Sequence, residues 1–146
     1  MPLIRPLTPE DRAQWDDLWR AYLTFYESEL SQEIYDATFA RLTNLAAKER
    51  GALVAEQDGE LIGLVHYIFH AHNWNVENVC YLQDLYVSEA ARGTGAGRAL
   101  IEGVYQVADE NGTPTVYWMT QHFNETARKL YDRIGKLTPF IKYQRG

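Results

Sequence analysis

The chain has 146 residues, of which 46% are apolar and 23% are charged, and its formal net charge at pH 7 is −6. This length and balance indicate a single globular domain over residues 1–146. The acidic charge argues against a nucleic-acid binder, because such proteins carry a basic face. The lone Cys80 excludes an internal disulfide, and no His or Cys cluster has metal-site spacing. With neither a signal peptide nor a membrane span in the sequence, we expect a cytoplasmic protein without metal and without a membrane partner.

The first forty residues predict one strand and two helices. Leu3–Leu7 is a short apolar stretch interrupted by proline, which is typical of an edge strand. Thr8 and Pro9, followed by two acidic residues, predict the start of a first helix, and Ser31 predicts the N-cap of a second helix. Both helices carry apolar residues at helical spacing.

Three strands are then predicted in succession. Gly51–Glu56 and Leu61–Phe69 form a hairpin pattern, because Gly59 accepts a positive φ in the turn between them. Val79–Val87 alternates in the manner of a third strand. Since no helix separates these strands, the order favours an α/β (α+β) fold with a mostly antiparallel, mixed sheet and helices on both faces.

The last third of the chain predicts a helix over about Gly95–Asn111, a strand over Thr115–Thr120 and a helix over Asn124–Ile134. Gly135 is the expected stop of that last helix. Leu137–Gln144 leaves room for one final strand.

A glycine-rich loop precedes the third predicted helix, with the sequence Arg92-Gly93-Thr94-Gly95-Ala96-Gly97-Arg98. Glycines at alternate positions let several backbone N–H groups point into one concavity at a helix N-terminus, which favours phosphate binding. A Walker loop needs a Lys that is absent here, and a dinucleotide fingerprint needs a third glycine where Arg98 stands. The loop therefore predicts a phosphate cradle of another kind.

Three ordered segments resemble the GCN5-related N-acetyltransferase (GNAT) superfamily. Arg92–Gly97 matches its Arg/Gln-x-x-Gly-x-Gly/Ala signature, Tyr81–Val87 resembles its fourth strand, and Asn124–Tyr131 resembles its Asn-x-x-Ala-x-x-x-Tyr helix. Gly112–Trp118 and the brief C-terminal end are similar to a narrower group, the fungal Hpa-type histone, polyamine and D-amino-acid acetyltransferases. The resemblance implies a GNAT fold whose sheet splays between the fourth and fifth strands.

The resemblance also implies acetyl-CoA as cosubstrate. Backbone amides from Arg92 to Arg98 would hold its pyrophosphate, with added positive charge from the two arginines. Main-chain groups of Leu85-Tyr86-Val87 would bind the pantetheine arm as an added strand, and Asn124 would contact the same arm. A backbone N–H near Leu85 or Tyr86 would polarise the acetyl carbonyl.

Tyr131 is the candidate catalytic acid, because a neutral phenol is protonated at working pH and can donate to the leaving sulfur. The general base is open. Polyamine acetyltransferases of the family usually have Glu where this chain has Gln83, and Gln cannot accept a proton usefully. Asp84 is the next candidate, although strand alternation lets only one of these two side chains face the cleft. Water reached through Asp84, Glu29 or Glu33 is the alternative.

The predicted first two helices are acidic, and in this fold they wall the acceptor side. The residues expected to contact the acceptor are Glu27, Glu29, Glu33, Gln83 and Trp118. Aromatic residues such as Tyr22 and Tyr26 add cation–π contact. The hypothesis is direct attack, in a ternary complex, by a cationic primary amine: a polyamine, a lysine side chain or a small amine. Two alternatives stay open. The acidic side chains could lie wholly on the outer face of the helices, and Trp118 could be a packing residue.

Two further interpretations of function stay open: an acyl-CoA-binding module without catalysis, and an acetyltransferase for free amino acids. A nucleotide-binding module is a third, disfavoured by the missing Lys of the loop. Because the fold usually has two strands after its last helix, Leu137–Gln144 predicts an unpaired edge that a homodimer would cover.

Overall fold

The computed structural model describes residues 1–146. Five strands and four helices follow one another along the chain in the predicted order, except at its C-terminal end. The strands are β1 (Leu3–Pro6), β2 (Arg50–Gln57), β3 (Glu60–His70), β4 (Val79–Val87) and β5 (Val116–Tyr117). The helices are α1 (Arg12–Phe25), α2 (Gln32–Leu42), α3 (Ala96–Glu110) and α4 (Glu125–Ile134). None of these helices has the length and apolar character needed to cross a bilayer.

One mixed sheet runs in the order β1-β2-β3-β4-β5. The first four strands pair antiparallel with their neighbours, whereas β5 pairs parallel with β4 at only two positions, Cys80 with Val116 and Tyr81 with Tyr117. Beyond these pairs the two strands separate, as the resemblance implies. The strand predicted over Thr115–Thr120 is therefore shorter than expected, because residues past Tyr117 have no β4 partner within reach.

Helices cover both faces of the sheet, which confirms the predicted architecture. Side chains alternate across each strand, so Val54 and Leu64 join the core under α1 and α2, while Leu53 and Val65 join the core under α3 and α4. Trp15 of α1 is fully buried at the centre of the first core. The second core is larger, and it includes the β4 residues that flank the glycine loop.

The entry to α1 is fixed by a polar cluster. The Arg5 guanidinium donates to both carboxylate oxygens of Asp11, at 2.8 and 2.9 Å, and the Thr8 backbone N–H donates to the same carboxylate at 2.8 Å. The hydrogen bonds from Arg5 hold the pKa of Asp11 at about 2, below the ordinary value of 3.8. At the second helix, Ser31 accepts from the Ile34 N–H and caps α2 as predicted.

The C-terminal end departs from the prediction. Leu137–Gln144 forms no strand, and its apolar side chains Phe140 and Tyr143 are exposed. A strand exists only through pairing, and the two-residue β5 offers too short an edge. Gly135 ends α4 in an extended conformation (φ −143°), and a Cβ there would lie 2.8 Å from the Trp118 ring, so close approach explains this glycine.

Candidate active site

The glycine loop between β4 and α3 has the geometry of an anion cradle. Gly93 and Gly95 adopt φ of +83° and +84°, which non-glycine residues rarely adopt, and Gly95 is the N-cap of α3. The successive backbone N–H groups from Gly93 to Arg98 make no hydrogen bond within the protein. The Thr94 hydroxyl donates to the Ala91 carbonyl at 2.6 Å and holds the loop closed. These free donors at a helix N-terminus fit a pyrophosphate.

The two arginines of the loop have different environments. Arg92 Nε donates to the Val87 carbonyl at 3.3 Å, and its guanidinium lies 5.7 Å from the centre of the Tyr86 ring. Arg98 lies 3.5 Å from Glu102, one turn along α3, with both side chains about half exposed. Arg92 thus ties the loop to the end of β4 and engages one of the main-chain groups expected to bind the pantetheine arm, whereas Arg98 faces solvent.

β4 carries a bulge at Gln83. His66 of β3 lies opposite Asp84, and the next β3 residue, Tyr67, lies opposite Leu82, so Gln83 is an extra residue in the strand. Gln83 is exposed, while Asp84 is largely buried beneath α1. The alternation expected for a regular strand fails at this bulge. Bulges often lie beside active sites because they redirect a side chain.

Asp84 accepts a hydrogen bond from a buried histidine. The His66 Nδ1 lies 2.8 Å from Asp84 Oδ2, and the Trp15 indole N–H donates to His66 Nε2 at 3.0 Å. Burial raises the pKa of the Asp84 carboxyl, but the hydrogen bond from His66, together with the nearby Tyr22 and Trp19, outweighs it and lowers this pKa below its ordinary value. Asp84 is therefore a buried carboxylate that stays ionised near neutral pH.

Tyrosines surround this carboxylate. Burial, and then the negative charge of Asp84, raise the pKa values of Tyr22, Tyr26 and Tyr81, so all three stay neutral phenols. The rings of Tyr22 and Tyr26 pack edge to face at 5.1 Å, and Tyr81 stacks on Tyr117 at 4.9 Å. One carboxylate among aromatic rings forms a site suited to a cation.

Tyr131 lies on α4, near the point where β4 and β5 separate. Burial, with a smaller contribution from Tyr26, raises the pKa of its phenol to about 12, so the hydroxyl carries its proton. This hydroxyl forms no hydrogen bond with another residue, which leaves it free to donate to a ligand. Its ring packs edge to face on Trp118 at 5.5 Å.

Trp118 has the contacts of a packing residue. Besides Tyr131, it packs against Tyr105 of α3 and fills the space beside Gly135. These contacts belong to the core under α3 and α4, on the opposite side of the sheet from Asp84. Asn124 is the N-cap of α4, where its side-chain oxygen accepts from the Ala127 N–H at 3.3 Å. Its amide nitrogen is uncommitted and can still donate to a ligand.

The predicted acidic wall is only partly assembled. Glu27 and Glu29 line a cavity of about 550 Å³ between α1 and α2, together with Arg20 and Tyr35. Glu33 is exposed and lies outside this lining, which includes neither Asp84 nor Tyr131. Other acidic residues of the N-terminal region form ion pairs: Asp11 with Arg5, Asp16 and Asp36 with Arg12, and Asp17 with Arg20. Asp84 is the buried carboxylate of β4, beyond the point where β4 and β5 stop pairing.

Sequence reasoning missed His66 and Tyr81 as site residues. His66 had one available signal: it is a lone polar residue inside the apolar run of β3, and it is only 3% exposed. Cys80 is fully buried, and burial raises the pKa of its thiol to about 11. A protonated, inaccessible thiol does not serve as a nucleophile.

Comparison with known proteins agrees with this geometry. The family model described as the acetyltransferase (GNAT) family matches residues 14–135. The D-amino-acid N-acetyltransferase HPA3 of Saccharomyces cerevisiae is 42% identical over 98% of this chain and 89% of its own length. The uncharacterized N-acetyltransferase YhfO of Bacillus subtilis is 32% identical, over 96% of this chain and 94% of its own.

Among solved structures, AAC(6')-Iy in complex with the bisubstrate analogue CoA-S-monomethyl-acetylneamine superposes with a TM-score of 0.86 over 100% of this chain and 98% of its own, at 17% identity. This likeness supports the fold. The glycine cradle, the splayed sheet and the matches over nearly the full length of the chain lead to one conclusion: this chain belongs to the GNAT family of N-acetyltransferases.

Proposed function

We propose that this protein transfers the acetyl group of acetyl-CoA to a primary amine that binds as its ammonium ion beside Asp84. The observation that carries the proposal is the environment of Asp84, a buried carboxylate among the rings of Tyr22, Tyr26 and Tyr81. A carboxylate and aromatic faces together favour a cation over a neutral or anionic group.

The cosubstrate site combines two main-chain surfaces. The free N–H groups from Gly93 to Arg98 match the pyrophosphate, and the edge of β4 beyond Tyr81 is unpaired, which suits the pantetheine arm. Acetyl-CoA supplies an acetyl group activated as a thioester. The CoA complex of the structural neighbour AAC(6')-Iy supports this assignment.

The proposed reaction is direct attack within a ternary complex. Asp84 orients the ammonium, but its lowered pKa makes it a weak proton acceptor, so the proton leaves through water held at the carboxylate. The amine nitrogen then forms the new bond to the acetyl carbon while the bond to sulfur breaks. The second proton of the nitrogen passes through water to the departing thiolate, which leaves as the CoA thiol. A backbone N–H of Leu85 or Tyr86 stabilises the developing oxyanion, and the Tyr131 phenol donates a hydrogen bond to the departing sulfur.

Among primary amines, two classes of acceptor fit this proposal: free amino acids and polyamines. The name of the yeast relative, D-amino-acid N-acetyltransferase, supports the amino acid. The negative charge of the site supports the polyamine. Both acceptors present a primary ammonium group, and they differ in the carboxylate that only the amino acid carries.

The test measures free-thiol release from acetyl-CoA with D- and L-amino acids, polyamines, basic peptides and a neutral hydroxylamine. We expect turnover with ammonium acceptors, and we expect Asp84→Asn to raise their KM roughly 10- to 150-fold while leaving the KM for acetyl-CoA unchanged. The control Asp109→Asn alters an exposed carboxylate of α3 and is expected to have no effect. Equal turnover of the neutral hydroxylamine, or an unchanged acceptor KM in Asp84→Asn, would contradict the proposal.

We also propose that the protein assembles as a homodimer through its C-terminal segment. The support is the set of exposed apolar side chains there: Leu137, Phe140, Ile141 and Tyr143. A second copy that pairs with this segment would bury them and extend the sheet beyond β5. Sedimentation at micromolar concentration tests the proposal, and a monomer would overturn it.

A further inference from the structure

We propose that His66 and Trp15 are positioning residues that set the charge and direction of the Asp84 carboxylate. The proposal rests on the proposed function of Asp84 as the ammonium site. It assigns a role in acceptor binding to two buried side chains, 3% and 0% exposed, that do not contact the acceptor themselves.

The hydrogen-bond chain fixes the tautomer of His66. An indole N–H can only donate, so His66 Nε2, 3.0 Å from Trp15 Nε1, accepts with its lone pair. The ring proton must then be on Nδ1, which donates to Asp84 Oδ2 at 2.8 Å. A second proton on the imidazole would have to displace the Trp15 hydrogen bond.

This tautomer preserves the charge of the site. A neutral imidazole that donates to Asp84 leaves the carboxylate with its full negative charge. An imidazolium in the same place would cancel that charge and repel an incoming ammonium. Trp15 therefore acts at a distance: by occupying Nε2, it keeps the histidine neutral and the carboxylate available.

The same chain sets the direction of the carboxylate. Asp84 follows the Gln83 bulge, where the regular ladder that normally orients a side chain is interrupted. His66 lies directly opposite Asp84 across the strands and supplies the missing constraint. Trp15 is itself immobilised, since its ring packs on Trp19 and Phe39, each at 5.0 Å. The positioning therefore extends from α1 through β3 to β4.

Two variants separate positioning from general packing. His66→Leu removes the donor to Asp84, and we expect the KM of an ammonium acceptor to rise about tenfold or more, with an unchanged KM for acetyl-CoA. His66→Asn restores an N–H donor at the place of Nδ1, so we expect it to recover most of that loss. If both variants impair both substrates equally, His66 is a packing residue and the proposal is wrong.

A measurement on the unmodified protein reports the tautomer directly, and a variant is needed only to assign the signal. In ¹⁵N spectra of histidine-labelled protein at pH 7, with the His66 signal assigned by its disappearance in His66→Asn, we expect the neutral Nδ1–H tautomer. Trp15→Phe removes the donor together with part of a fully buried ring, so its folding is checked first by urea unfolding. It should lose the preference for the Nδ1–H tautomer, whereas the exposed-tryptophan control Trp74→Phe should keep the wild-type signal. An Nε2–H tautomer or an imidazolium in the wild type would overturn the inference.

The two proposals fail in different ways. If Asp84→Asn leaves the acceptor KM unchanged, the ammonium site itself is wrong, whatever the state of His66. If Asp84→Asn raises that KM but His66→Leu does not, the ammonium site stands and the positioning role is wrong.

Discussion

Tyr131→Phe tests the chemistry of the site with little disturbance of the fold. The phenyl ring keeps the edge-to-face contact with Trp118 at 5.5 Å, and the lost hydroxyl forms no hydrogen bond with another residue. We therefore expect the free energy of unfolding to change by less than about 0.5 kcal/mol. Any large loss of activity would then report the interaction of the hydroxyl with the reacting groups.

The size of the loss follows from the pKa of Tyr131. Burial raises this pKa to about 12, while an ordinary thiol titrates near ~8.5, so the phenol is too weak an acid to protonate the sulfur completely. In the proposed reaction the phenol acts instead as a hydrogen-bond donor to the charged sulfur, and such a hydrogen bond contributes about 1.5–3 kcal/mol. We expect kcat to fall roughly 10- to 150-fold, with little change in the KM of either substrate.

The assay is free-thiol release at saturating acetyl-CoA and amine, repeated with an acetyl thioester of a more acidic thiol. Because a better leaving group needs less stabilisation, the ratio of kcat between wild type and Tyr131→Phe should be smaller with this second thioester than with acetyl-CoA. Tyr105→Phe is the matched control. It loses a 2.6 Å hydrogen bond to the Ile134 carbonyl and should lose about 1 kcal/mol of stability without a comparable loss of kcat. A loss of kcat smaller than threefold in Tyr131→Phe, or an equal loss of kcat in Tyr105→Phe, would refute the reasoning.

Two further predictions concern the cradle and the fold. Gly95→Ala places a side chain at φ +84°, so we expect about 1 kcal/mol of destabilisation and at least a tenfold higher KM for acetyl-CoA. Gly59→Ala is the control, because Gly59 has a φ of +79° but lies in the hairpin turn. In urea unfolding it should be destabilised equally, with no change in the KM for acetyl-CoA. Asp11→Asn removes a carboxylate whose folded pKa of about 2 is lower than its ordinary 3.8. The hydrogen bonds and ion pair with Arg5, together with the hydrogen bonds from Thr8, therefore contribute about 2 kcal/mol above pH ~4, and this contribution disappears as the pH falls toward 2. Unfolding curves of wild type and Asp11→Asn should converge at low pH, and a constant difference between pH 2 and 7 would contradict this assignment.

Local segments of the sequence were sufficient to predict the glycine cradle and the helix that follows it. The glycine loop needs only its own residues, because the positive φ values of Gly93 and Gly95 and the start of α3 are local properties. The helix from Asn124 to Tyr131 is likewise predicted by capping and helical spacing. For the same reason, the element order and the two-sided packing of the sheet could be predicted from apolar periodicity.

The cluster around Asp84, the proposed acceptor site, was decided by tertiary structure. Trp15, His66 and Asp84 are far apart in the chain, and they meet only because α1 packs on β3 and because β3 pairs with β4 in one register. The bulge at Gln83 and the failure of Leu137–Gln144 to form a strand depend on neighbouring strands as well as on local composition. The net charge of −6 shows the same division. Sequence determined how many acidic residues there are. Tertiary structure decided which of them pair with arginines and that Asp84 is buried beside His66, because the energy of a charge depends on its surroundings.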